Sequence, residues 1–143
     1  MIRFFSDDIS FKCKNQRFLK HWIQEVLAMH KINDNNLNYI FCNDNYLLHI
    51  NNEFLQHDFY TDIITFNNSI IETNLVADIY ISIERVMDNS KKLSIEFEEE
   101  LHRVMIHGIL HLLGFQDKTK KQKEEMRQLE NDCLILRKNH YIR

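Results

Sequence analysis

Both glycines of this 143-residue chain lie in one eight-residue stretch, and the chain has no proline. The stretch runs from His107 to Gly114 and reads HGILHLLG. Gly114 suits the left-handed position just past a helix, so the pattern predicts a helix that ends there and a chain that then reverses direction. Gly108 falls inside that helix, where glycine costs roughly 1 kcal/mol relative to alanine. A glycine there predicts that another group approaches the helix backbone closely.

Composition bounds the class of protein. A chain that is 44% hydrophobic and 27% charged is expected to form one globular domain over residues 1–143. Its net charge of −3 argues against a uniformly basic nucleic-acid coat but leaves a local basic patch open. Three distant cysteines without a CxxC pair favour reduced thiols and a cytoplasmic protein. Neither a signal peptide nor a membrane-spanning run is expected.

Apolar spacing predicts four strands and about five helices. The predicted strands cover residues 2–5, 37–42, 61–66 and 75–82. The predicted helices cover residues 18–30, 43–54 behind an Asn43 or Asp44 cap, 83–93, 94–112 behind a Ser94 cap, and 120–138. Residues 33–36 are expected to form a polar break, and residues 67–74 a loop. The pattern predicts an α/β (α+β) fold in which a mixed four-stranded sheet packs against the helices, with the histidine-bearing helix at the centre.

His107 and His111 lie four residues apart, which on a helix places them about 40° apart around the axis and ~6 Å apart along it. Two imidazoles so placed can share one metal ion. Eight histidines in this length give about 0.4 such pairs by chance. Spacing alone therefore favours a pair of partly buried histidines with satisfied hydrogen bonds, and the two glycines shift the balance toward a metal site.

Asp117 follows the predicted reversal and can return toward both imidazoles. Two histidines and a carboxylate, with one position open for water, form the ligand set of catalytic rather than structural zinc. The other interpretation of Asp117 is a solvated acid before a run of lysines. Glycine rather than glutamate follows His107, so the pattern is not the HExxH of zinc peptidases. The metal-bound water is then the only catalytic group predicted.

Three ordered motifs resemble those of the YbeY family of bacterial metal-dependent endoribonucleases and ribosomal-RNA maturation factors. HGILHLLGFQD, ending at Asp117, is similar to the family signature HGxLHLxGYDH. TDIITF at 61–66 and ADIYIS at 77–82 resemble the family's TDVLSF and GDIxIS strands. Ile50-Asn51, Met126 and Glu130 also fall at matching places, so the resemblance covers roughly residues 37–135.

This resemblance implies a single-strand-specific endoribonuclease in ribosomal RNA processing, including maturation of the 16S 3′ end, and in ribosome quality control. It implies one divalent metal per chain, usually zinc, held by His107, His111 and, in place of a third histidine, Asp117. The anionic ligand favours a harder site that tolerates Mn²⁺ or Ni²⁺. The implied partners are single-stranded RNA, the ribosomal RNA precursor and the small ribosomal subunit. No membrane partner is expected; the oligomeric state is open, with a monomer expected.

Several other residues are candidates for the site. Leu55 falls where many members of the family carry an arginine thought to act at the cleft, so one phosphate clamp is missing. Asp62 and Asp78 are candidates for orienting the metal ligands, the alternative being strand-end caps. The cations that could form an RNA-facing rim, or merely solvated helix faces, are Arg85, Lys91, Lys92, Lys118, Lys120, Lys121, Lys123 and Arg127. The rings that could stack on bases, or simply pack, are Phe59, Tyr60 and Phe115.

Three functions are compatible with these patterns. The first is the metallo-endoribonuclease. The alternative is a non-catalytic zinc-binding ribosome assembly factor, which Asp117 and Leu55 make credible. A zinc peptidase is third, because Gly108 stands where such an enzyme has its glutamate base.

Overall fold

The structure is a computed structural model that describes residues 1–56 and 61–141. Its strands are β1 (Ile2–Ser6), β2 (Asp34–Cys42), β3 (Ile63–Asn67) and β4 (Asn74–Ser82). Its helices are α1 (Gln16–Met29), α2 (Asp44–Leu55), α3 (Ile83–Leu93), α4 (Phe97–Leu112) and α5 (Lys120–Tyr141). Within these residues, the predicted α/β fold with four strands and five helices is confirmed. None of the described helices has the length and apolar character needed to cross a membrane.

The strands form one mixed sheet in the order β1-β2-β4-β3. β1 pairs with β2 and β2 with β4 in parallel, whereas β3 runs antiparallel to β4. The first residues of β3 therefore lie beside the last residues of β4, and the Ser82 amide donates a hydrogen bond to the Asp62 carbonyl at 3.0 Å. This pairing brings Asp62 to the carboxyl edge of the parallel strands, the edge at which open α/β sheets bind ligands.

The helix α4 lies at the centre of the main core. Leu101, Met105 and Ile109 of this helix are fully buried among side chains from one face of the sheet, including Tyr39 and Ile79. The opposite face carries a smaller cluster, in which Leu47 and Ile50 of α2 pack with Cys42 of β2 and Ile64 of β3. The predicted central position of the histidine-bearing helix is confirmed.

One predicted helix cap and one predicted break are wrong. Ser94 does not cap α4: it adopts the left-handed conformation (φ 56°) and ends α3, while Glu96 is the N-cap of α4. The Ser94 amide is already bonded to the carbonyl of Lys91, so this serine belongs to the preceding helix. The polar break at 33–36 is also largely strand, because parallel pairing with β4 extends back to Asp34 opposite Asn74. Tertiary pairing here overrides a polar sequence.

Gly108 allows α4 to lie close to the sheet. A Cβ at this position would lie 2.7 Å from Cδ1 of Ile63 on β3, and 3.5 Å from Cγ2 of both Ile79 and Thr65. The shortest of these distances is well inside the optimal separation of two carbon atoms. The predicted close approach to Gly108 is confirmed, and the approaching group is a side chain of β3.

We expect the side chain of Ile63 to be the group that makes alanine unfavourable at position 108. Gly108→Ala gains about 1 kcal/mol of helix propensity, which displacement of the Ile63 δ-methyl offsets. Ile63→Val removes that methyl group, so Gly108→Ala should be about 1 kcal/mol more favourable in the Ile63→Val background than in the wild type. Urea unfolding of the four proteins measures this coupling.

Ile79→Val is the matched control for this cycle. Valine retains the Cγ2 carbon that faces Gly108, so its effect should be additive with that of Gly108→Ala. Additive behaviour of Ile63→Val as well would contradict the steric explanation for the glycine.

Candidate metal centre

The last two turns of α4 carry the two histidines of the motif. His107 is half-buried, His111 is exposed, and both line one cavity of about 640 Å³. Leu55 at the end of α2 and Asp62 beside β3 line the same cavity. Helical spacing therefore places both imidazoles at one opening of the molecule, next to the carboxyl edge of the sheet.

Gly114 reverses the chain directly after these turns. Its φ is +105°, a value that favours glycine. The Gly114 amide donates to the carbonyl of His111 at 3.0 Å, and the Phe115 amide donates to that of Leu110 at 3.1 Å. These two bonds form a Schellman motif, so the helix stop predicted at Gly114 is confirmed.

The reversal returns Asp117 to the side of α4. Its Oδ2 lies 3.5 Å from Nε2 of His107, and it lines the same cavity as His111. The following residues hold this connection in place: Gln122 Oε1 accepts from the amides of Lys118 and Thr119, and Thr119 Oγ1 accepts from the Gln122 amide, each at 3.1 Å. This reciprocal cap fixes the start of α5 next to Asp117.

The other nitrogen of His107 is held from the opposite side. Nδ1 lies 2.7 Å from Oε2 of Glu130 on α5. An ionised carboxylate only accepts, so Nδ1 carries the hydrogen and Nε2 is the atom that faces Asp117. Burial lowers the pKa of His107, but the hydrogen bond and the charge of Glu130 outweigh it, and the net pKa lies above its ordinary value.

Glu130 is 3% exposed, and basic groups compensate its charge. Oε1 accepts from Nη1 of Arg103 at 3.1 Å, and the same guanidinium binds the fully buried Glu100. Burial raises the pKa of Glu130, but the hydrogen bonds and charges of His107 and Arg103 lower it by more. The net pKa of Glu130 therefore lies below its ordinary value. The result is a buried chain of alternating charge that joins α4 to α5.

The donor set fits a divalent metal in its chemistry and in part of its geometry. Within residues 1–56 and 61–141, no three His, Cys, Asp or Glu side chains stand close enough to hold an ion as placed. His107 Nε2 and Asp117 Oδ2 do converge, and His111 is exposed in the same cavity one turn away. A carboxylate that bonds the far nitrogen of a ligand histidine, as Glu130 does, is a regular feature of metal sites.

A second cavity of about 310 Å³ adjoins the first, and Asp62, His107 and Asp117 line both. Burial raises the pKa of Asp62, and the nearby His107 only partly opposes this shift. Of the two aspartates predicted to orient the metal ligands, Asp62 is therefore the one that lies in the same cavities as His107.

Two other predicted site residues lie elsewhere. Asp78 is on β4 and accepts from Nδ2 of Asn38 on β2 at 2.9 Å. Arg85 on α3 contacts Asp44 at 2.8 Å and Asp88 at 3.2 Å. Neither is among the described residues that line the two cavities around His107.

The predicted basic rim divides into two groups. Lys118 lines the first cavity, and Lys123 and Arg127 line the second. The four other lysines are exposed and are not among the described residues of either lining: Lys91, Lys92, Lys120 and Lys121.

Phe115, one of the rings predicted to stack on bases or simply to pack, lies edge-to-face against His30, with ring centroids 5.7 Å apart. Phe59 and Tyr60 lie outside the described residues.

Residue-pattern reasoning missed the part that Glu130 and Arg103 play. A signal was present, because Glu130 falls between Met126 and Cys133 at the spacing of the inward face of α5. An acid on the apolar side of a helix must find a buried partner. The identity of that partner could not be read from the sequence, since it depends on how α5 packs against α4.

Comparisons with known proteins find relatives over nearly the whole chain. The family model described as endoribonuclease YbeY matches residues 2–137. The protein named endoribonuclease YbeY from Cytophaga hutchinsonii is 46% identical over 137 residues, which cover 96% of each chain. The protein of the same name from Porphyromonas gingivalis is 42% identical over 94% of this chain and 89% of its own.

A solved structure extends the comparison to the fold. The solution structure of a Thermotoga maritima protein is 28% identical, with a TM-score of 0.61, and the match covers 93% of this chain and 89% of that one. Sequence and fold are therefore similar over almost the whole length, and this chain belongs to the endoribonuclease YbeY family.

Proposed function

We propose that the chain is a metal-dependent endoribonuclease that cuts single-stranded RNA during maturation of the 16S ribosomal RNA 3′ end and in ribosome quality control, in the cytoplasm. Its family is one of metal-dependent endoribonucleases. The strand preference, the ribosomal substrate and the ligand set are what the proposal adds. The observation that carries it is the 3.5 Å approach of His107 Nε2 to Asp117 Oδ2, in a cavity that His111 also lines.

His107, His111 and Asp117 would hold the metal, with zinc as the first choice and Mn²⁺ or Ni²⁺ tolerated because one ligand is a carboxylate. A bound divalent ion supplies a Lewis acid for the phosphodiester and makes water a stronger acid. Glu130 accepts the hydrogen bond of Nδ1, so Nε2 is the nitrogen of His107 that points at the site and would bind the metal.

Asp62 is the group we assign to proton movement. Its carboxyl lines both cavities beside His107, and burial raises its pKa above the ordinary value, which favours holding a proton. It can therefore accept a proton from an attacking hydroxyl or return one to a leaving oxygen.

Leu55 and Asp117 were the reasons to consider a non-catalytic assembly factor. Family membership favours the enzyme, and the cavity beside Leu55 retains both histidines, Asp62 and Lys118. A peptidase is disfavoured for the same reason. Docking on the small ribosomal subunit stays compatible with catalysis.

The first test is metal content. We expect the purified chain to bind about one zinc ion and His111→Ala to lose it. Asp117→Ala should bind zinc more than about 100-fold more weakly, because loss of a direct ligand costs more than loss of an outer partner. Asp117→His should retain the metal, since it restores an imidazole. Elemental analysis and zinc titration against a competing chelator measure this. Unchanged content in His111→Ala would contradict the ligand set.

The second test is RNA cleavage. The wild type should cut a single-stranded oligoribonucleotide and leave the same sequence uncut in a duplex, and His111→Ala should lose at least about a hundredfold in kcat/KM. His49→Ala is the matched control, because His49 is exposed on α2 and pairs with Glu53. Equal cleavage by wild type and His111→Ala would point to a contaminating nuclease and contradict the proposal.

The third test is the role of Glu130. Glu130→Gln should lower the free energy of unfolding of the metal-free protein by about 2–3 kcal/mol, because Arg103 loses one of its two carboxylate partners and His107 loses its ionised acceptor. It should also weaken zinc binding about 10–100-fold. Glu125→Gln removes the same charge from an exposed position of α5 and should change stability by less than about 0.5 kcal/mol. Urea unfolding and zinc titration measure both. Equal effects of the two substitutions would refute the buried network.

A further inference from the structure

The 310 Å³ cavity continues the candidate metal centre toward α5. Asp62, His107 and Asp117 separate it from the larger cavity and line both. A strand whose scissile phosphate lies at His107 and Asp117 therefore has space for an adjacent nucleotide on the α5 side.

Among the described residues, three cations line this second cavity, and they differ in the partners that they already bind. Arg103 is bound to Glu100 and Glu130 and serves the buried network. Lys123 is exposed, and its side chain forms no ion pair with any other described residue. Arg127 is exposed and only approaches Glu130, with Nη1 3.8 Å from Oε1. Two positive side chains of the cavity are thus available to a ligand.

Lys123 and Arg127 lie four residues apart on α5, so both project from one face of the helix. Across the first cavity, Leu55 at the end of α2 offers no charge. The exposed cations of the second cavity therefore lie on its α5 side.

We propose that Lys123 and Arg127 form a phosphate-binding subsite for the nucleotide adjacent to the scissile phosphate of single-stranded RNA; this inference rests on the function proposed above. Lysine provides a point charge, and arginine a fork that matches two phosphate oxygens. Contacts of this kind read the backbone and not the base, so the subsite sets affinity and register without sequence preference.

Binding of a fluorescent single-stranded oligoribonucleotide to the full chain tests this, with chelator present so that no strand is cut. Lys123→Ala/Arg127→Ala should weaken binding about tenfold at 0.1 M salt. It should also make the slope of log K against log salt shallower by about 1.4, or about 0.7 for each phosphate that the protein no longer neutralises. A variant with glutamine at both positions should behave alike. Urea unfolding verifies that both variants fold.

The matched control is Lys121→Ala/Lys138→Ala. It removes the same charge from two exposed positions of α5 that are not among the described residues lining either cavity. Its salt slope should stay within about 0.3 of the wild type. An equal loss in this control would show a diffuse charge effect and overturn the subsite, as would an unchanged slope in Lys123→Ala/Arg127→Ala.

The outcomes also separate the subsite from the nuclease activity. If the wild type cuts no RNA but the slopes differ as expected, the subsite stands and the proposed function fails. If the wild type cuts RNA and the slopes do not differ, the function stands and the subsite is refuted. A wild type that binds no single-stranded RNA refutes both.

Discussion

The hydrogen bond between His107 and Glu130 is the interaction on which the candidate site depends. A carboxylate buried as deeply as that of Glu130 is costly unless hydrogen bonds and opposite charges compensate it. His107 and Arg103 do so, and both lie on α4, whereas Glu130 lies on α5. The contacts that stabilise the packing of these helices therefore also orient His107, so the orientation of Nε2 follows from the fold.

The two glycines serve this arrangement at different points of α4. Gly108 lets the helix lie against β3, which brings Asp62 beside His107. Gly114 turns the chain so that Asp117 returns to the same histidine. With only one of the two glycines, the imidazole of His107 would lie beside Asp62 or beside Asp117, but not beside both. A chain with no other glycine thus retains both where the backbone must come close to its surroundings or reverse.

Local chemistry in the sequence predicted the elements and the parts of the site that lie near one another along the chain. Periodicity indicated the helices, and the reversal at Gly114 indicated the approach of Asp117 to His107. The hydrogen bond between Arg103 and Glu130 joins residues 27 positions apart along the chain. Periodicity within one helix does not reveal such a contact between two helices. Asp78 shows the converse limit: the alternation of β4 marks it as polar but does not say that its partner is Asn38 on the neighbouring strand.

Acidic and basic side chains both surround His107. Among the described residues of the first cavity, Asp62 and Asp117 are acidic, and Leu55 brings no charge. An RNA phosphate approaching His107 would therefore meet carboxylates, which Coulomb's law makes unfavourable unless cations offset them. Lys118 lines the first cavity, and Lys123 and Arg127 line the second, so these cations can oppose that repulsion. Because these cations are solvent-exposed, their contribution should fall steeply with ionic strength, whereas that of the buried Arg103–Glu130 pair should not.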